Sequence, residues 1–112
     1  MESSRNSRRF FRFRLPALVE APQLSGQPFE VEDISAGGFM AVLPRAPKAG
    51  VKYDISVRLG EALFGPYEAL AAWNRQVTTR PAAWSFGMLI KMLDEEREDF
   101  ADAISAMLGS KV

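Results

Sequence analysis

Across residues 51–59 every second side chain is apolar: Val51, Tyr53, Ile55, Val57 and Leu59 alternate with Lys52, Asp54, Ser56 and Arg58. A period of two gives an extended chain one dry face and one wet face, and it excludes a helix, whose period is 3.6. The dry face has to be covered by other elements. The same alternation returns at Trp84, Phe86, Met88, Ile90 and Met92.

Shorter segments with the same character surround these two. Residues 15–21 are apolar, with Pro16 near the start, where a strand tolerates proline. Phe29, Val31 and Asp33 alternate with Glu30 and Glu32, and residues 39–43 resume after Ser35-Ala36-Gly37-Gly38. Residues 67–77 read as a long strand, although their Ala-rich middle also admits a helix. Turn chemistry separates the segments at residues 23–26, at residues 44–50, at Gly60, Gly65 and Pro66, and at Pro81. The expected fold is mostly β: five or six strands with turns between them point to an antiparallel sandwich or barrel rather than a parallel sheet.

The end of the chain changes period. Phe100, Ala103, Ile104, Met107 and Leu108 share one helical face, Asp94 is placed as N-cap, and Gly109 ends the pattern. A C-terminal amphipathic α-helix this short is marginal alone in water, so its apolar face should lie on the barrel. Asp94, Glu95, Glu96, Glu98, Asp99 and Asp102 are opposed only by Arg97. They read as the wet face and capped start of that helix, with an acidic docking site as the competing reading.

A chain of 112 residues makes one domain, and 47% hydrophobic with 25% charged residues is ordinary globular composition. It contains no cysteine and no histidine. That removes disulfides, thiol nucleophiles, His acid–base catalysis and the usual zinc sites. Carboxylates alone would have to carry any catalysis, and their one cluster is explained by the helix, so no enzyme is expected. Apolar runs such as Met88-Leu89-Ile90 are too short to cross a bilayer, and no apolar stretch follows the N-terminal arginines. These features predict a cytoplasmic protein without membrane insertion.

Net charge is zero but unevenly placed. Arg5, Arg8, Arg9, Arg12 and Arg14 crowd the first fourteen residues against Glu2 alone. The organisation expected is a flexible basic segment over 1–14, then barrel and helix over 15–112, as one domain. A basic terminus points to an anionic partner, with a solvated tail as its bland counterpart. Arginine suits phosphate and nucleobase together, because its fork donates two parallel hydrogen bonds and its plane stacks. Phe10 and Phe11, inside the cluster, either anchor the segment on the barrel or supply stacking surface. Further on, Asp33-Ile34-Ser35-Ala36-Gly37-Gly38 offers a carboxylate, a hydroxyl and unobstructed backbone. As plain structure it is a strand end and turn; as a site its carboxylate accepts from the N1–H and N2 amine of guanine.

Together the two segments resemble the signature of the PilZ domain family, bacterial receptors for cyclic di-GMP: RxxxR before the first strand, and [D/N]xSxxG at the following strand–turn. Arg8 and Arg12 fill the first motif, with Arg9 between them; Asp33, Ser35 and Gly38 fill the second. Arg5 and Arg9 also read RxxxR, but Arg8 and Arg12 lie beside the first strand as in the family. Trp73 in a long middle strand, Phe86-Gly87-Met88 in the last strand and the closing helix extend the likeness over residues 5–109. The resemblance implies a small antiparallel six-stranded β-barrel with a C-terminal amphipathic α-helix.

The resemblance implies that Arg8 and Arg12 grip phosphates and guanine faces, with Arg9 in support. Asp33 and Ser35 would bond a guanine, and Gly38 would let the ligand approach the backbone. The ligand would order the arginine segment over the barrel and offer a new surface to a downstream protein, in motility, pilus or biofilm control. No catalytic residue, metal or further cofactor is implied. Two alternatives stand beside it. One is a docking scaffold of the same fold that does not use the nucleotide. The other is a small barrel binding single-stranded nucleic acid, weakened by the scatter of Lys48, Lys52, Arg58, Arg75, Arg80 and Lys91 and by the neutral net charge.

Overall fold

The computed structural model describes residue 14 and residues 16–109. Among these described residues seven strands, β1 (Ala17–Glu20), β2 (Phe29–Glu30), β3 (Asp33–Ser35), β4 (Gly38–Leu43), β5 (Lys52–Leu59), β6 (Ala62–Thr79) and β7 (Ala82–Lys91), precede helix α1 (Asp94–Gly109). All strand pairs are antiparallel, in the order β2-β1-β5-β6-β7-β4-β3. The fold is mostly β with a C-terminal helix, as the periodicities predict. The six-stranded closed barrel is corrected to a seven-stranded half-barrel.

The physical reason lies at residues 29–35, which the alternation presents as one strand. Phe29 and Val31 pack inward, but so does Ile34, fully buried. The inward parity therefore slips between residues 31 and 34, and Asp33 turns outward rather than continuing the apolar row. The strand splits as a result. β2 pairs with β1, and β3 pairs with β4. Between them the Val31 N–H donates to the Ala17 carbonyl (3.2 Å) and the Glu32 N–H to the Met40 carbonyl (2.7 Å). The chain thus passes from one sheet edge to the other without β2 and β3 bonding each other.

Gly65 and Pro66 do not end a strand either. Only Gly60-Glu61 turns the β5–β6 hairpin, with Gly60 at φ 62°. Gly65-Pro66 is absorbed inside β6, opposite a register shift between Ile55 and Val57. Gly65 sits at φ 112°, a conformation that favours glycine. The Ala-rich middle of β6 is strand, not helix: Ala69 and Ala71 are buried in the sheet's concave face.

That face is the core. Phe29, Phe39 and Phe86, from β2, β4 and β7, form a three-way cluster with ring centroids 6.3–6.4 Å apart. Such tilted and edge-on pairs are worth roughly 0.5–1.5 kcal/mol each beyond the area they bury. Helix α1 closes the open side with Phe100 and Ile104, and Phe100 meets Phe64 edge-on at 5.3 Å. Its N-cap is Leu93 rather than Asp94. The Leu93 carbonyl accepts the Arg97 N–H (2.9 Å), and its own N–H donates to Glu96 Oε1 (2.8 Å), the return half of a capping box.

Candidate functional site

The motif Asp33-Ile34-Ser35-Ala36-Gly37-Gly38 ends β3, turns, and starts β4. Burial of Ile34 forces its neighbours Asp33 and Ser35 to the outer face. The Ser35 hydroxyl is committed to the turn. It accepts the Gly37 N–H (3.2 Å) and lies 3.5 Å from the Gly38 carbonyl, and the residue is only 4% exposed. The Gly37 carbonyl accepts the Ile90 N–H (3.0 Å), and the Ala36 carbonyl accepts Arg97 Nη1 of helix α1 (2.6 Å). Gly38 fits its place because it lacks a side chain: a Cβ there would fall 1.9 Å from the Met88 carbonyl oxygen. Strand packing alone therefore requires this glycine.

Asp33 is half-buried and heads a row of registered partners across four strands: Asp33, Met40, Gly87 and Trp73. Gly87 has no side chain, and the Trp73 indole lies across it; a Cβ at Gly87 would come within 2.4 Å of Trp73 Nε1. The indole stays 40% exposed. Three interstrand steps separate the Asp33 and Trp73 backbones, roughly 14 Å, and because the indole reaches back over Gly87 it lies about two steps, roughly 10 Å, from Asp33. The next row carries Val42, Ser85 and Arg75. The outer face of β3-β4-β7-β6 thus presents an acceptor carboxylate, a flat aromatic surface and an exposed guanidinium.

Sequence reasoning missed this placement of Trp73 and Arg75. Two residues apart in one strand, they share a face by period two, which was a usable signal. Their register against Asp33 was not, because β6 is irregular between Ala71 and Trp73 and again between Gln76 and Thr78. Of the motif residues, the fold brings Asp33, Ser35 and Gly38 into one turn. Arg8, Arg9 and Arg12 lie outside the described residues, and of the basic segment expected over 1–14 only Arg14, exposed, is described.

The helix start overhangs the sheet at Tyr67. Burial first, then the charges of Glu96 and Asp99, push this phenol above its ordinary value of 10.0. Among the described residues no group of three or more His, Cys, Asp or Glu could hold a metal ion, and no helix is long and apolar enough to cross a membrane.

By sequence the chain matches no family model and no curated protein. By structure it is similar to YcgR in complex with c-di-GMP from Escherichia coli, with a TM-score of 0.67, 18% identity and 93% of this chain covered. It is also similar to the K. pneumonia MrkH–c-di-GMP complex (0.67, 17%, 93% covered) and to the Bacillus subtilis inhibitor of motility MotI/DgrA (0.63, 15%, 94% covered). The chain spans 46%, 54% and 53% of those three chains, about half of each. At these identities the likeness shows the fold, which is PilZ-like.

Proposed function

We propose that the chain is a receptor for cyclic di-GMP, belongs to the PilZ family and binds the nucleotide on the outer face of β3-β4-β7-β6. The observation that supports this most is the registered row from Asp33 to Trp73 on one open face. Asp33 accepts from the N1–H and N2 amine of a guanine, a charge-assisted pair that adenine, with an acceptor at N1, cannot make. The Trp73 indole stacks on a base, and Arg75 stands one row away for a phosphate. Arg8 and Arg12 close on the phosphates and guanine faces from the N-terminal side, with Arg9 in support. Ser35 serves mainly by holding the turn, and its hydroxyl keeps one lone pair for the ligand. With the arginine segment drawn onto the sheet, a new surface is offered to a downstream protein in motility or biofilm control. Two of the structures sharing the fold are c-di-GMP complexes, and the third is an inhibitor of motility.

Calorimetric titration tests the reading. Cyclic di-GMP should bind saturably, while GTP and cyclic di-AMP should not. Arg12→Ala should abolish binding, and Asp33→Asn should weaken it about tenfold, the value of one charge-assisted hydrogen bond. Heat with every nucleotide that fades with added salt would mean nonspecific attraction to arginines. Absence of binding would leave the nucleotide-independent docking scaffold.

A further inference from the structure

Arg97 stands where a cation is least expected. It lies one turn into α1, near the positive end of the helix dipole, after the acidic run Asp94-Glu95-Glu96. Its guanidinium is used in the fold instead. Nη1 donates to the Ala36 carbonyl (2.6 Å) and Nη2 to the Ile90 carbonyl (3.2 Å). The first acceptor lies in the turn between β3 and β4, 61 residues away in sequence; the second is in β7. One planar fork therefore pins the turn to the neighbouring strand. The fork's own base is anchored at the helix start, where Glu96 Oε1 accepts the Leu93 N–H.

We infer that Arg97 is a positioning residue for the nucleotide site, an inference that rests on the receptor reading. The turn's local bonds are thin: one hydroxyl contact at 3.2 Å and one at 3.5 Å. Ala36 is 9% exposed, so without Arg97 its carbonyl would be a buried acceptor with one charged donor fewer. The turn would relax to recover a partner, and Asp33 and Ser35, on its N-terminal side, would leave the geometry that faces the guanine. A lysine keeps the charge but cannot reach both carbonyls with a fixed fork. The helix is in this way part of the binding site without touching ligand.

The test compares Arg97→Gln, Arg97→Lys and Phe100→Leu in the full chain, reading cyclic di-GMP affinity beside thermal stability. Arg97→Gln should weaken binding about tenfold and Arg97→Lys about threefold. Phe100→Leu, which also loosens the helix, should lower the melting temperature at least as much yet keep affinity within about twofold. Affinity losses that simply follow the melting temperatures across all three would overturn the inference. So would parental affinity in Arg97→Gln. Amide hydrogen exchange without nucleotide separates this from failure of the receptor reading. Gly37 and Gly38 should exchange about tenfold faster in Arg97→Gln than in Phe100→Leu, and equal rates would overturn the positioning role even where nothing binds.

Discussion

The chain builds nearly the same serine-centred turn twice. At Ser25 the hydroxyl donates to the Gln27 carbonyl (2.9 Å) and accepts the Gln27 N–H (3.3 Å). At Ser35 it accepts the N–H two residues on, at Gly37 (3.2 Å). Both turns contain glycine, and both are legible as turns from residue type alone. Their surroundings differ completely. A Cβ added at Gly26 would meet nothing within 4 Å, whereas one at Gly38 would strike the Met88 carbonyl. Among the described residues the first turn's backbone is bonded back to Ala21, four or fewer residues away, with one distant tie at its start, where Gln23 Oε1 accepts the Asp54 N–H (2.7 Å). The second is held at its own carbonyls by Ile90 and by Arg97. Local chemistry is enough to make a turn. Contacts distant in sequence, made at the turn's own carbonyls, are what hold the Ser35 turn in the place that the proposed site needs.

Substitutions can break or sharpen that contrast. The largest effect is expected at Gly38→Ala. Relieving a 1.9 Å approach between Cβ and a backbone oxygen requires β4 and β7 to part, at a cost of about 3 kcal/mol or more, read from urea unfolding. Ser35→Ala should follow, losing about 1 kcal/mol, because it strips the part-buried Gly37 N–H of its acceptor. Ser25→Ala makes the same chemical change on a more open turn and should cost no more than about 0.5 kcal/mol. The smallest effect should also change sign. Gly26 has no positive φ and no neighbour to obstruct a methyl group, so Gly26→Ala should stabilise by about 0.5 kcal/mol through the unfolded state. Equal losses at residues 26 and 38 would erase the distinction between the two turns.

The same distinction sets how far the sequence could be read. β5 and β7 were legible because each alternates over eight or more residues. The helix was legible because Phe100 and Ile104 recur at helical spacing, and both are buried. The division between β2 and β3 was hidden, because Phe29, Val31 and Asp33 continue one alternation on paper while the buried Ile34 reverses it in space. Gly65-Pro66 looked like a strand end, because punctuation by glycine and proline is local and its accommodation opposite Ser56 is not. Within the proposed site, the motif singled out Asp33, Ser35 and Gly38, and the fold brings the three into one turn. The row joining Asp33 to Trp73 depends on bulges that residue types do not announce. Arg97 looked like a lone cation in an acidic run, because its carbonyl partners lie on other elements.

The central claim is that the nucleotide lies across the face running from the Ser35 turn to Trp73. Amide and indole chemical shifts, followed by heteronuclear NMR while cyclic di-GMP is added, test it most directly. The account predicts that the largest changes fall on the amides of residues 33–38 and on the Trp73 indole N–H, with the Trp84 indole nearly still. Shifts confined to helix α1 or to the Ser25 turn, or none at saturating nucleotide, would contradict it.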